Sequence, residues 1–145
     1  MSTSAEQFLA AAALVITAAV AAYSSTVRVD RGRADPLGLD ELPAINLRRG
    51  PLDLQAWAND LDQATLVFEV DIEVRGDDWE TQADALHQLI NQALSTSATL
   101  ASMVRGIRCT GVEPDAEPGD TVAGRFQARY QCQFITRRGA LTPQH

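Results

Sequence analysis

Thr65–Arg75 reads TLVFEVDIEVR. Leu66, Phe68, Val70, Ile72 and Val74 alternate with Val67, Glu69, Asp71, Glu73 and Arg75. This period of two marks a strand with one apolar face and one charged face. The chain then switches to helical period in GDDWETQADALHQLINQAL. Asp77 stands at an N-cap position with Glu80 three residues later, a capping-box-like start. Trp79, Ala83, Leu86, Leu89, Ile90, Ala93 and Leu94 form the stripe of an amphipathic helix. A long one-sided strand feeding a capped helix belongs to a small α+β module.

Working outward, Thr121–Thr136 alternates in the same way. Val122, Phe126, Ala128, Tyr130, Cys132 and Phe134 face in; Arg125, Gln127, Arg129, Gln131 and Gln133 face out. The outer faces of the two long strands are complementary. One offers Glu69, Asp71 and Glu73, the other Arg125 and Arg129. They can pair with each other or meet across a subunit boundary, and either use specifies register or partner more than it stabilises. Strands this long exceed the usual length, so their ends are expected to project as arms or edges that invite pairing with another chain.

The shorter elements fill in around this pair. Thr26–Asp30 reads as a short strand, and Arg31–Glu41 as a loop. Leu42–Arg49, LPAINLRR, is a strand opened by a proline and broken by Gly50-Pro51. Leu52–Gln63 is ambiguous: Leu54, Trp57 and Leu61 fit one helical face, yet the segment also suits an ordered excursion. Ile107–Glu113 is a strand, Pro114–Asp120 an acidic turn-rich loop, and Arg137–His145 a polar, loose tail. The expectation is a mostly antiparallel mixed sheet of four to five strands with two main helices packed on one face. It forms a single domain over residues 1–145.

Phe8–Tyr23, FLAAAALVITAAVAAY, is polar only at Thr17. A signal peptide wants a positive start, but Glu6 precedes this run and no Lys or Arg does. The run is also short of the ~20 residues that cross a bilayer. It reads as a buried helix over about residues 4–23, capped by Thr3 or Ser4. Export or membrane anchoring is the competing reading.

The chain carries 12 basic and 19 acidic residues, a net charge of −7, and every basic residue is Arg. Such a balance disfavours wrapping nucleic acid and suits a surface that DNA slides past. The cysteines, Cys109 and Cys132, lack CxxC spacing. With inward parity they read as buried reduced thiols, with a disulfide as the less favoured alternative.

No metal set is legible: His87 has no ligand at i±4, and His145 is terminal. No phosphate-binding or nucleophile motif is present. Asp77-Asp78 suits helix capping, and Glu69, Asp71 and Glu73 diverge along a flat strand, a poor cation cage. Arg48-Arg49 and Arg137-Arg138 are short basic pairs at strand ends. Trp79 reads as core, and Trp57 as the better interface anchor.

The order of LPAINLRRG, FEVDIEVRG, a helix of the form ADALHQLINQAL, IRCTGVE, an acidic turn and GRFQARYQCQFITRRG resembles the tail terminator and tail-completion proteins of long-tailed bacteriophages, the minor tail protein U type. The likeness spans about residues 8–138; the Ala-rich first helix departs from it. It implies a virion protein without enzymatic activity or cofactor, assembled in the host cytoplasm and free of membrane. A homo-oligomeric ring, a hexamer in that family, would cap the tail tube, stop its polymerisation and meet the neck or head-completion protein. DNA would pass through its lumen without specific binding. A ring interface is heterologous. Its expected residues are Arg125 and Arg129 against Glu69, Asp71 and Glu73, with Trp57. Tube or neck contacts fall to Arg31, Arg33, Asp35, Arg48, Arg49, Asp115, Glu117 and Asp120. A neighbouring neck or head–tail joining protein of the same fold is the nearest alternative.

Overall fold

The computed structural model describes residues 3–35, 37–119 and 121–143. The fold is α+β. Five strands, β1 (Arg28–Arg31), β2 (Ala44–Ala58), β3 (Leu61–Arg75), β4 (Arg105–Glu117) and β5 (Ala123–Arg137), form one sheet in the order β1-β2-β3-β5-β4. Among the described residues only β1 and β2 pair in parallel, and the other three junctions are antiparallel. Helices α1 (Ser4–Val20) and α2 (Trp79–Thr96), with the short α3 (Ala98–Ala101), cover one face.

The alternation of β3 does what its sequence predicts. Leu66, Phe68, Val70, Ile72 and Val74 are fully buried beneath the helices. Phe68 is the hub: its ring meets Phe8 of α1 edge-on at 5.4 Å and stacks on Tyr130 of β5 at 5.3 Å. Such pairs add to the area they bury. Ala83, Leu86, Ile90 and Leu94 of α2 close over the same layer. Trp79 is half-buried, edge-on to Phe126 at 5.9 Å. It lies so close over Gly124 that a Cβ there would come within 2.1 Å of the indole.

Helix α1 buries Ala5, Phe8, Leu9, Ala12, Ile16 and Val20, and Thr3 caps it by accepting from Glu6 N–H at 3.2 Å. It stops at Val20 rather than Tyr23, and Leu14 is 74% exposed on its far side. Among the described residues no helix is long and apolar enough to cross a membrane.

Several boundaries differ from the sequence expectation. Gly50-Pro51 does not end β2. The strand slips register between Arg49 and Leu52 and continues to Ala58, so Leu52–Gln63 is neither helix nor excursion but the tip of a β2–β3 hairpin. Glycine suits the slip: Gly50 lies against the Val67 carbonyl, and a Cβ there would sit 2.7 Å from its oxygen. The first strand begins at Arg28 rather than Thr26. Strand β4 runs on through Pro114 to Glu117, where a loop was expected. An edge strand tolerates the proline, because one side of its backbone needs no donor. Helix α2 starts from Asp78, not Asp77, and without a side-chain cap bond; Gln82 instead bridges Asp78 Oδ1 (2.7 Å) and Arg75 O (2.8 Å). The tail is not loose up to residue 143. Arg138 N–H donates to Asp60 O at 2.6 Å, Pro143 bridges to Thr136, and Leu141 O accepts from Ser4 N–H at 3.0 Å.

Candidate functional site

Two features stand out: the charged outer face of the sheet, and its open edges. On the outer face the register opposes Glu69 to Arg129, Asp71 to Gln127 and Glu73 to Arg125. The complementary rows of the two long strands therefore meet within one chain. Glu69 accepts from Gln127 Nε2 at 2.9 Å and lies 3.5 Å from Arg129. Arg125 turns instead toward Asp115 of β4, at 3.5 Å.

From the β2 side, Arg48 places its guanidinium against both Glu69 and Asp71, donating from Nε to Asp71 Oδ2 at 2.7 Å. Asp71 is almost wholly buried. The Asp71 bond, with the nearby Glu69 charge, raises the pKa of Arg48 despite partial burial. Arg33 makes a second fork, onto Asp30 (2.8 Å) and Glu73. Burial opposes its charge, but the two carboxylates outweigh it and raise its pKa. Asn46 locks that loop, accepting from Arg33 N–H and donating to Arg33 O, each at 3.0 Å. Arg31 grips Glu6 of α1 at 2.6 Å; that bond, the largest influence, holds the Glu6 carboxyl below its ordinary range.

Thus Arg31, Arg33 and Arg48 are engaged within the chain. Asp35 and Glu117 are exposed, Arg49 is exposed at the rim of the helix-covered face, and Asp120 lies outside the described residues, as does His145.

The edges are different. On one side β1 covers β2 only from Ala44 to Leu47, so among the described residues no strand lies beyond Arg48–Ala58. On the other side β4 is the last strand. Every residue from Thr110 to Gly119 is exposed, and no residue of β4 is fully buried. Leu54 and Trp57, 47% and 55% exposed, sit on the free part of β2. Near the start of β4 a half-open groove of about 520 Å³ is lined by Met103, Val104, Arg105, Phe134, Ile135 and Ser4, among others.

A polar cluster that the sequence did not reveal lies under the sheet. Tyr130 Oη donates to Asn91 Oδ1 at 3.1 Å and lies 3.1 Å from His87 Nε2; Cys109 Sγ is 3.8 Å from the same nitrogen. Burial holds His87 below its ordinary pKa, outweighing Asp84, and raises that of Tyr130. The helical i, i+4 spacing of His87 and Asn91 opposite an inward Tyr was the available signal. Both cysteines are free thiols. Cys132 is buried, which pushes its thiol up to about 12. Among the described residues no group of three or more His, Cys, Asp or Glu side chains is placed to hold a metal ion. The cluster ties α2 to β5 and β4 by hydrogen bonds.

No protein-family model matches this chain, and a search of curated proteins returns no match to it.

Proposed function

We propose that this protein is a structural component of a long-tailed phage virion, a tail terminator that closes into a ring on the end of the tail tube. The supporting observation is the pair of open edges. One sheet presents unpaired backbone on β4 at one side and on β2 at the other. Two different, mutually complementary surfaces on opposite sides of a subunit are what a closed heterologous ring requires. The resemblance of the chain to tail terminators supplies the rest: six copies, a tube protein on one face, a neck or head-completion protein on the other, and no catalysis or cofactor. The acidic balance suits a lumen through which DNA passes without sticking. The charged outer face, with Glu69, Asp71, Glu73, Arg125 and Arg129, then acts inside each subunit, linking four strands. The exposed Arg49, Asp115 and Glu117 remain for the tube or the neck.

The test is to add purified protein to polymerising tail tubes and image them by negative-stain electron microscopy. Tubes capped at one end and arrested in length support the reading. Bare ends and unaltered growth at saturating protein contradict it.

A further inference from the structure

We propose that neighbouring copies join by adding β4 of one to the free edge of β2 of the next, Arg105–Glu113 against Arg48–Ala56, as antiparallel strands. This rests on the ring reading above and specifies its joint.

Direction comes first. The chain alternates along the sheet, so β4 runs opposite to β2. Rotation of one copy onto the next about an axis along the strands therefore lays the two edges antiparallel, and keeps the outer faces on the same side. Each edge donates and accepts hydrogen bonds that otherwise go to water.

Register comes next. One alignment satisfies both faces. On the outer face, Arg108 (level with Gln131) comes opposite Asp53 (level with Thr65) of the next copy, and Glu113 opposite its Arg48. On the helix-covered face, Ile107 comes opposite the exposed Leu54, and Cys109 opposite Leu52. Opposite charges meet on one side and apolar groups on the other, each a favourable cross-strand pair. The slip of β2 at Gly50-Pro51 falls opposite the slip of β4 between Cys109 and Gly111, so these two stay in step, while the slips at Ala56–Ala58 and Arg105–Arg108 fall at the end of the joint.

The limits of the joint agree with the same alignment. Pro114, which has no N–H to give, comes opposite Leu47, where β1 already occupies the edge of β2 by pairing Arg31 with Leu47. At the other end Trp57 comes opposite Val104. The start of β4 at this level borders the groove formed by Met103, Val104, Arg105, Phe134 and Ile135. An exposed aromatic on a projecting arm and a half-apolar groove at the matching level are the anchor and pocket of a small interface.

Charge reversal tests the joint. Arg108 and Asp53 are exposed, so Asp53→Arg and Arg108→Asp fold as the parent does, checked by unchanged circular-dichroism melts. Each alone is expected to weaken self-association about tenfold by sedimentation velocity, and the doubly reversed protein to recover most of it. Independently, Asp53→Cys and Arg108→Cys combined with Cys109→Ser should yield a ladder of intermolecular disulfides on mild oxidation, while either single cysteine yields at most dimers. Rings that form with unchanged affinity in both single reversals, or a double variant no better than the sum of the singles, overturn this joint and leave the ring intact. A parent protein that never self-associates, alone or on tubes, removes the ring and the joint together.

Discussion

Strands β3 and β4 are both long and both antiparallel to β5, yet their side chains meet different surroundings. Along β3 the inward residues from Asp62 to Val74 are buried, and the outward ones are held by Arg33, Arg48, Gln127 and Arg129. Along β4 the backbone is paired to β5, but the side chains from Thr110 onward face solvent on both sides of the sheet. The distal part of β2, from Asp53 to Ala58, resembles β4. The centre of the sheet is therefore specified by its own chain. The flanks are ordered mainly by backbone ladders, and their side chains carry little of the folding energy. The exposed apolar side chains of such a flank, Leu54 and Trp57, are of the kind a partner surface uses.

That contrast can be broken by substitution. Phe68→Ala removes the ring on which α1 and β5 both pack and is expected to cost about 3–5 kcal/mol, read from the denaturant midpoint at unchanged slope. A loss below about 1 kcal/mol would mean that the centre is not the stabilising half.

Arg48→Ala comes next. It strips the Asp71 carboxylate, buried in the outer face, of its guanidinium, and about 1–3 kcal/mol is expected because an uncompensated buried acceptor remains. Arg129→Ala, whose partner contact is longer and whose side chain is 58% exposed, should change stability far less in the same urea titration.

A third effect is one of pH. Because burial depresses the pKa of His87, the unfolded chain takes up the proton more readily. The contribution of His87 is complete above the ordinary imidazole value of about 6.5 and is lost as pH falls through that value toward the depressed one. His87→Gln, which can still hydrogen-bond Tyr130, should flatten the fall in melting temperature between about pH 6.5 and 5. An unaltered pH profile in that variant would contradict the role given to His87; Asp30 could not supply the effect, because it titrates below this window. There burial opposes the charge, but Arg33 and Arg28 outweigh it and lower the pKa, so its contribution is lost only at more acidic pH.

The smallest effect sharpens the comparison most. Trp57→Ala on the arm should change subunit stability by less than about 0.5 kcal/mol while weakening self-association, since an exposed aromatic has little to lose on folding alone. A large stability loss with intact association would reverse the roles assigned to centre and flank.

The same division governs how much was legible from sequence. Where one face is buried, alternation is enforced, and the β3 pattern from Leu66 to Val74 and the stripe of α2 read directly into structure. Where neither face is buried, nothing enforces a period. Leu54, Trp57 and Leu61 fit helical spacing as well as they fit a hairpin tip, and Gly50-Pro51 looks like a break although the backbone only bulges past Val67. Pro114 and its acidic neighbours look like a loop for the same reason: an edge strand needs no apolar side chains to stay paired with β5. The folded-back tail is held by backbone bonds to Asp60 and Ser4, which no residue type signals, and by the Arg138–Asp62 ion pair, whose partner the sequence does not reveal. The charge complementarity of the two long strands was legible, but not whether its partner lay in the same chain; the register settles that Glu69 opposes Arg129 within the sheet.

Native mass spectrometry of the full chain, over a range of concentrations and with tail tubes added, reads the assembly itself. The expected result is a single closed assembly at a fixed multiple of the 15.7 kDa subunit, formed alone or on the tube end. A species of one subunit mass at every concentration, unchanged by tubes, would contradict it.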